Sequence, residues 1–257
     1  MSTSYEFINV STEEAVGRIV LDRPPVNVLN IQMMREINGA LDAFAADEEL
    51  KLVEIGAVGK AFCAGVDVAD HAPELVAEMV EQFDGMFERL AALPVPSLAV
   101  VDGAALGGGC ELVAGCDMAI ASKRSKFGQP EIRLGFFPPF AAYALPKLIG
   151  HNRAIELCLL GESVGAERAA AIGLINRAVE DDKLAEELAG LEDGIRAASP
   201  LIIRLAKRAV VENLEKPFAE AMRSLDSLFL DELMKTEDTL EGMNSFLEKR
   251  KPVWKNR

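Results

Sequence analysis

The sequence is poor in the groups that most often announce a metal or redox centre. Its 257 residues include two histidines, His71 and His151, and four cysteines, Cys63, Cys110, Cys116 and Cys158, with no CxxC pair among them. Zinc sites need ligands at short, fixed spacing and secreted scaffolds need paired cysteines, so both frameworks are disfavoured and no metal or cofactor is expected. Basic charge is scarce as well. Against 41 Asp and Glu there are 27 Lys and Arg, which leaves a net charge of -14 and a pI near 4.7. Such a surface repels polyphosphate backbones and anionic lipid, which argues against nucleic acid and membrane as general partners. No apolar run reaches the roughly 20 residues that a membrane span requires. The opening MSTSYEFINVSTEE has neither the basic nor the apolar region of a signal peptide, so a soluble cytoplasmic protein is expected.

Half of the residues are apolar, which is enough for a full core. Over the first 125 residues, short β-rich runs alternate with helical ones: GRIVLDRP, the helix IQMMREINGALDAFAAD, LVEIGAV, a helix from about Pro73 to Leu93, then PSLAVVDG. This alternation predicts an α/β core. ELVAGC reads as a brief helix, DMAIAS as a strand, and AIGLINRAVE as a last strand over 172–179. Beyond about 182 the pattern is helical, with Ser199 as an N-cap ahead of Pro200. Segments from Leu201, Phe218 and Thr239 carry apolar residues at three and four spacing, as in a helical appendage packed on the core or on another subunit. The sequence shows no internal repeat and no flexible linker.

Three segments concentrate the chemistry. In ALGGGCELVAGCD, Ala105 to Asp117, three glycines precede a cysteine and Glu111 at the expected start of a helix. Glycines allow close backbone approach, and a helix start points unpaired N–H groups outward, which suits an oxyanion. The glycines are contiguous and no GK[ST] follows, so neither a dinucleotide-binding turn nor a P-loop fits. KAFCAGVDVADH, Lys60 to His71, leaves a strand through glycines, and KFGQPEIRLGFFPP, Lys126 to Pro139, sets Glu131 among apolar neighbours. Burial there should raise the pKa of Glu131, whereas a helix N-terminus should favour the charged form of Glu111. Two carboxylates in unlike settings can divide acid and base roles. Each feature also has a plain structural reading: Glu111 as a dipole-stabilising surface residue, QPE as a turn, and Cys110 as a buried inert thiol rather than a nucleophile.

Together, FCAGVD, GGGCEL and FGQPEIRLG, in this order and spacing, resemble the crotonase family, the enoyl-CoA hydratase and isomerase superfamily. The resemblance extends from IVLDRPPVNVLN to EDTLEGMNSFLEKRKP. It implies a spiral of ββα units over residues 1–195 that holds an acyl-CoA site, and a helical region over 196–257 used in a homotrimer or a dimer of trimers. It also implies an oxyanion hole from the N–H groups of Val66 and Gly108, and two catalytic glutamates, Glu111 and Glu131, that hold one water. In the division it implies, Glu111 helps activate the water and Glu131 exchanges a proton with carbon, with the roles open to reversal or sharing. Ala64, Asp67 and Val68 are implied substrate contacts, with CoA as part of the substrate. Lys249 and Arg250 are candidates for its phosphates, although EKRKP also reads as a solvated helix end.

The resemblance departs from the straight-chain pattern after Glu131. A glycine-rich loop is replaced by FFPPFAAY, Phe136 to Tyr143, which makes the expected acyl pocket stiffer and more apolar, with Phe136 and Pro138 as contacts. That loop, DHAPELVAEM and the C-terminal stretch are similar to the hydratases that act on cyclohexa-1,5-diene-1-carbonyl-CoA in anaerobic aromatic degradation. A lysine common in the family after the early RP is Pro25 here, which removes one expected CoA contact. An ordinary short-chain enoyl-CoA hydratase and a double-bond isomerase relying on Glu131 are the alternatives of the same class. A non-catalytic RNA-binding scaffold is the alternative of another class, against which both glutamates and the acidic charge weigh.

Overall fold

The computed structural model describes residues 5–257. Residues 1–4, part of the segment read for a signal peptide, lie outside the described residues. Among the described residues, ten strands fall into two sheets. β1 (Ile8–Glu13), β2 (Val16–Leu21), β3 (Leu52–Ala57), β5 (Ser97–Val101), β7 (Met118–Ser122) and β10 (Arg177–Val179) form one, in the order β1-β2-β3-β5-β7-β10. β4 (Ala61–Cys63), β6 (Ala104–Leu106), β8 (Lys126–Gly128) and β9 (Ser163–Gly165) form the other, in that order. β1 and β9 pair antiparallel with their neighbours, and every other pairing is parallel.

The path of the chain through the two sheets is a spiral. β3 and β4 lead to helix α2 (Val76–Ala92), β5 and β6 to α3 (Gly108–Gly115), and β7 and β8 to α4 (Pro139–Ile149). In each turn the first strand joins the larger sheet and the second the smaller. Three ββα units therefore repeat in space although no repeat is visible in the sequence. The second strands are only three residues long, too short for a periodic signal, so β4, β6, β8 and β9 escape detection. The strand expected over 172–179 is also corrected: β10 covers Arg177–Val179 alone, because helix α6 (Ala166–Ile172) takes the apolar residues before it and stops at Gly173.

Side-chain alternation puts a different layer on each face of the larger sheet. Val53 and Ile55 face the main core, with Met33, Ile37, Leu41 and Phe44 of α1 (Ile31–Ala45). Leu52 faces the other way, with Val16, Leu98 and Ile120, where Leu184, Leu188, Leu191 and Ile195 of α7 (Leu184–Arg196) cover it. Glu54 lies between Leu52 and these covered positions, and Arg18 bridges it (3.0 Å) to Glu192 of α7 (2.6 Å). Burial pushes the Glu54 carboxyl up to about 7, against the pull of Arg18.

After α5 (His151–Leu160) and α7, the chain continues through α8 (Pro200–Val211), α9 (Phe218–Ser227), a short π-helical turn and α10 (Glu237–Glu248). Ser199 caps α8 as expected, its hydroxyl accepting from the N–H of Ile202 at 3.2 Å. Lys207 of α8 donates to Asp117 at 2.8 Å and to the Val95 carbonyl at 3.0 Å, which ties the helical segment to the spiral. Among the described residues no helix is long and apolar enough to cross a membrane.

A buried aspartate anchors the last residues. The Asp238 carboxylate accepts from the Ser199 hydroxyl and from the N–H groups of Lys255 (2.7 Å) and Asn256 (3.0 Å). The single tryptophan, Trp254, stands in the strapped segment and donates its indole N–H to the Ala197 carbonyl at 2.7 Å. Replacing Asp238 by Ala orphans three donors, so Asp238→Ala is expected to destabilise the protein by about 3 kcal/mol. Urea denaturation checks this, and the Trp254 emission of the folded variant is expected to shift to the red as the strap loosens.

Candidate active site

The three glycines of the central motif each have a separate steric reason to be there. Gly107 has φ +53°, and a Cβ on it would stand 2.5 Å from Glu131 Oε1. On Gly108 a Cβ would meet Val66 Cγ2 at 2.7 Å, and on Gly109 the Cys63 carbonyl oxygen at 2.3 Å. Removing these side chains lets the start of α3 press against both the loop after β4 and the loop after β8.

Two backbone donors come together there. Gly108 is the first residue of α3, so its N–H has no partner within the helix. In the isolated parallel bridge between Leu29 and Val66, the Leu29 N–H donates to the Gly65 carbonyl and its carbonyl accepts from the Asp67 N–H, both at 2.8 Å. That pattern spends the groups on either side of Val66 and turns the Val66 N–H away from Leu29. An ideal Cβ on Gly108 would lie 3.4 Å from the Val66 nitrogen, which shows how closely the two positions approach.

Both glutamates converge on this point. Glu111 is the fourth residue of α3, and its own N–H already bonds to the Gly107 carbonyl. Its side chain is only 2 % exposed, and Oε1 accepts from the N–H of Ala141 at 2.7 Å. Ala141 is the third residue of α4 and is free to donate for the same reason as Gly108. Even so, burial pushes the Glu111 carboxyl up to about 8, with the charge of Glu131 acting in the same direction. The expectation that the helix end would favour a charged Glu111 is therefore reversed, since desolvation outweighs the N–H bond.

Glu131 sits in a short 3-10 turn, Pro130–Leu134, and is half-buried. Its apolar sequence neighbours do not bury it: Ile132 and Leu134 both point to solvent. Its carboxylate instead turns inward toward Gly107 and Gln129. With its amide oriented to donate, the fully buried Gln129 lies 3.2 Å from both Glu131 oxygens. Burial raises the Glu131 carboxyl as well, while a bond from its own N–H works the other way.

The remaining expected contacts divide into three groups. Ala64 is half-buried, with its N–H bonded to the Val26 carbonyl at 3.0 Å, and Val68 is exposed on the rim. Asp67 has partners of its own: Arg23 at 3.0 Å and the Ala69 N–H at 3.2 Å, so its carboxylate shapes the loop around Val66. Pro138 is buried at the start of α4, where it and Pro139 set the direction from which Ala141 meets Glu111, while Phe136 stays partly exposed. Lys249 ends α10 in a left-handed conformation. Arg250, the other phosphate candidate, is paired with Glu241 (2.9 Å) and Glu248 (2.6 Å) at the surface. Cys110 is corrected as a possible nucleophile: it is fully buried, and burial and the nearby glutamates push its thiol far above its ordinary range.

Sequence reasoning missed several participants. Phe83 of α2 packs beside Gly108, while Phe87 of α2 and Phe140 of α4 pack together farther along α3, beside Gly115. Phe87 and Phe140 stack with ring centroids 3.6 Å apart, and Phe83 meets Phe87 edge-on at 4.9 Å. Phe83 and Phe87 are spaced as any core pair on a helix, so nothing local distinguishes them. Gln129 stands two residues before Glu131, but its direction depends on where β8 ends.

Comparison with known proteins gives the family. The family model described as "Enoyl-CoA hydratase/isomerase" matches residues 11–257. A protein of Rhizobium meliloti (strain 1021) named "Probable enoyl-CoA hydratase" is 40% identical over 257 residues, covering 99% of this chain and 100% of its own length. The "Cyclohexa-1,5-dienecarbonyl-CoA hydratase" of Thauera aromatica is 34% identical over 240 residues, covering 93% of each chain. The crystal structure of an enoyl-CoA hydratase of Mycobacterium smegmatis superposes with a TM-score of 0.92 at 30% identity, over 97% of this chain and 99% of that one. The crotonase architecture expected from the motifs is thus the observed one, and this chain is an enzyme of the enoyl-CoA hydratase/isomerase family.

Proposed function

We propose that the site adds water to an α,β-unsaturated CoA thioester, and that its preferred acyl group is the ring of cyclohexa-1,5-diene-1-carbonyl-CoA. The observation that carries the hydratase reading is the convergence of two raised carboxyls on the paired N–H groups of Val66 and Gly108. Those donors would stabilise the negative charge that develops on the thioester oxygen. In a conjugated ring diene the same oxygen draws charge through both double bonds, so addition at the far end of the diene calls on the same donors.

The carboxyl pair supplies the proton traffic. Hydration moves one proton from water to a carboxylate and one from a carboxyl to carbon, so the pair needs one proton in total and regains it each cycle. Burial pushes Glu111 up to about 8, which keeps a proton on it at neutral pH, and it raises Glu131 as well. The ring preference rests on FFPPFAAY, whose prolines and the stacking of Phe140 on Phe87 stiffen the segment after Glu131, which suits a planar ring better than a mobile chain. The straight-chain reading is favoured by 36% identity to a protein of Syntrophomonas wolfei named "Crotonyl-CoA hydratase".

We also infer a homotrimer or a dimer of trimers. Phe218 is 81 % and Phe246 83 % exposed, and Leu214, Leu247 and Leu230 lie open on the same helical segment, more apolar surface than a monomer ordinarily leaves in water. The expected solution state at micromolar concentration is three or six subunits by light scattering, and a monomer there would remove the assembly.

Glu111→Gln and Glu131→Gln are each expected to lower kcat by about 100-fold or more while an unreactive CoA thioester still binds in calorimetry. In the parent enzyme kcat/KM is expected to fall as the pH rises through about 8, where Glu111 loses its proton and the pair can no longer deliver one to carbon. A profile flat to pH 9 would count against the shared proton. Side-by-side turnover of crotonyl-CoA and cyclohexa-1,5-diene-1-carbonyl-CoA tests the acyl group. Preference for the ring diene is the expected result, and preference for crotonyl-CoA would make the FFPPFAAY loop a neutral variation.

A further inference from the structure

The loops that carry Val66 and Glu131 come from different turns of the spiral, and an aromatic contact joins them across the site. The His71 and Phe136 rings lie with centroids 4.8 Å apart, tilted by 38°. Each ring is fastened to the backbone of its own loop. His71 ends the 3-10 turn Val68–His71, and its Nδ1 lies 3.0 Å from the Asp67 carbonyl, which accepts when Nδ1 carries the ring proton. The Phe136 N–H donates to the Glu131 carbonyl at 3.1 Å, closing the turn in which Gly135 adopts a left-handed conformation. One end of the contact is therefore held one residue after the Val66 donor, and the other on the backbone of Glu131.

Several other side chains of the Glu131 loop are open to solvent: Ile132, Leu134 and Phe137 are all exposed. The catalytic chemistry needs the Glu131 carboxylate at a fixed distance from the Val66 N–H; Gln129 holds the carboxylate itself, and the His71–Phe136 contact ties the loop behind it to the Val66 loop.

We propose that His71 is a positioning residue that clamps the Glu131 loop against the Val66 loop through Phe136 and thereby sets which acyl groups the site accepts. This inference rests on the hydratase reading above. A planar acyl group tolerates a narrow gap between the two loops, whereas a chain in many conformations gains from a wider one. Loss of the clamp is thus expected to cost more with the ring substrate than with the chain.

The full-length enzyme and the variants His71→Ala, Phe136→Ala, their double variant and His71→Phe test this. His71→Ala is expected to lower kcat for the ring ester about tenfold with KM changed far less, since misplacement of a reacting group acts on turnover. The ratio of kcat/KM for ring over chain should fall by a similar factor. The double variant should be no slower than either single one, because both remove the same contact. His71→Phe keeps an aromatic face toward Phe136 and should restore most of the loss. Unchanged selectivity in His71→Ala, or additive losses in the double variant, would overturn the clamp. Amide hydrogen exchange gives a readout independent of turnover: the Phe136 N–H should exchange about tenfold faster in His71→Ala than in the parent. Faster exchange in a protein that hydrates neither ester would uphold the clamp and refute the hydratase reading, and unchanged exchange would refute the clamp.

Discussion

At the centre of the structure, the glycine-bearing start of α3 packs directly on the end of β4 and on Val66 in the loop that follows. Gly109 lies where a Cβ would come within 2.3 Å of the Cys63 carbonyl, and Gly108 where one would press on Val66. A single methyl group at either position would separate the two N–H donors and push α3 off the smaller sheet. The parallel pairing of β4, β6 and β8 delivers both loops to the same side of that sheet, and buried Phe62 and Phe127 fill the space beneath. The position of Glu111, one turn into the helix, follows from this approach.

Burying two carboxyls beside one another is costly in an apolar setting, and the fold offsets the cost with dipoles rather than cations. Ala141 at the start of α4 donates to Glu111, and Gln129 meets Glu131. Neither donor carries a charge, so neither pulls the carboxyls back into the ordinary range. An arginine in either place would have held its partner ionised throughout neutral pH. The prolines at 138 and 139 belong to the same arrangement, because they start α4 where its third N–H reaches Glu111.

Ion pairs with a cation do appear where charge is structural. Arg18 links Glu54 to Glu192 and so holds α7 on the outer face of the larger sheet, and Lys207 on Asp117 holds α8 to the spiral. These networks engage the scarce basic residues elsewhere, and among the described residues no cation pulls the Glu111 or Glu131 carboxyl down. Arg250, which sequence alone left free to meet a phosphate, is committed in the same way to Glu241 and Glu248.

The sequence by itself determined the α/β class, the long helices and strands, the N-cap at Ser199, and the glycine-rich start of α3 with Glu111 beside it. These rest on periodicity and on local backbone chemistry, which act within a few residues. Tertiary structure alone decided the three-residue strands of the smaller sheet and the spiral repeat, because such strands are stabilised by partners some 20 to 40 residues away rather than by their own propensity. It decided the protonation of Glu111 too. A helix N-terminus favours a charged carboxylate locally, but the surrounding layers remove its water, and desolvation is a property of the whole packed environment that no neighbouring residue records.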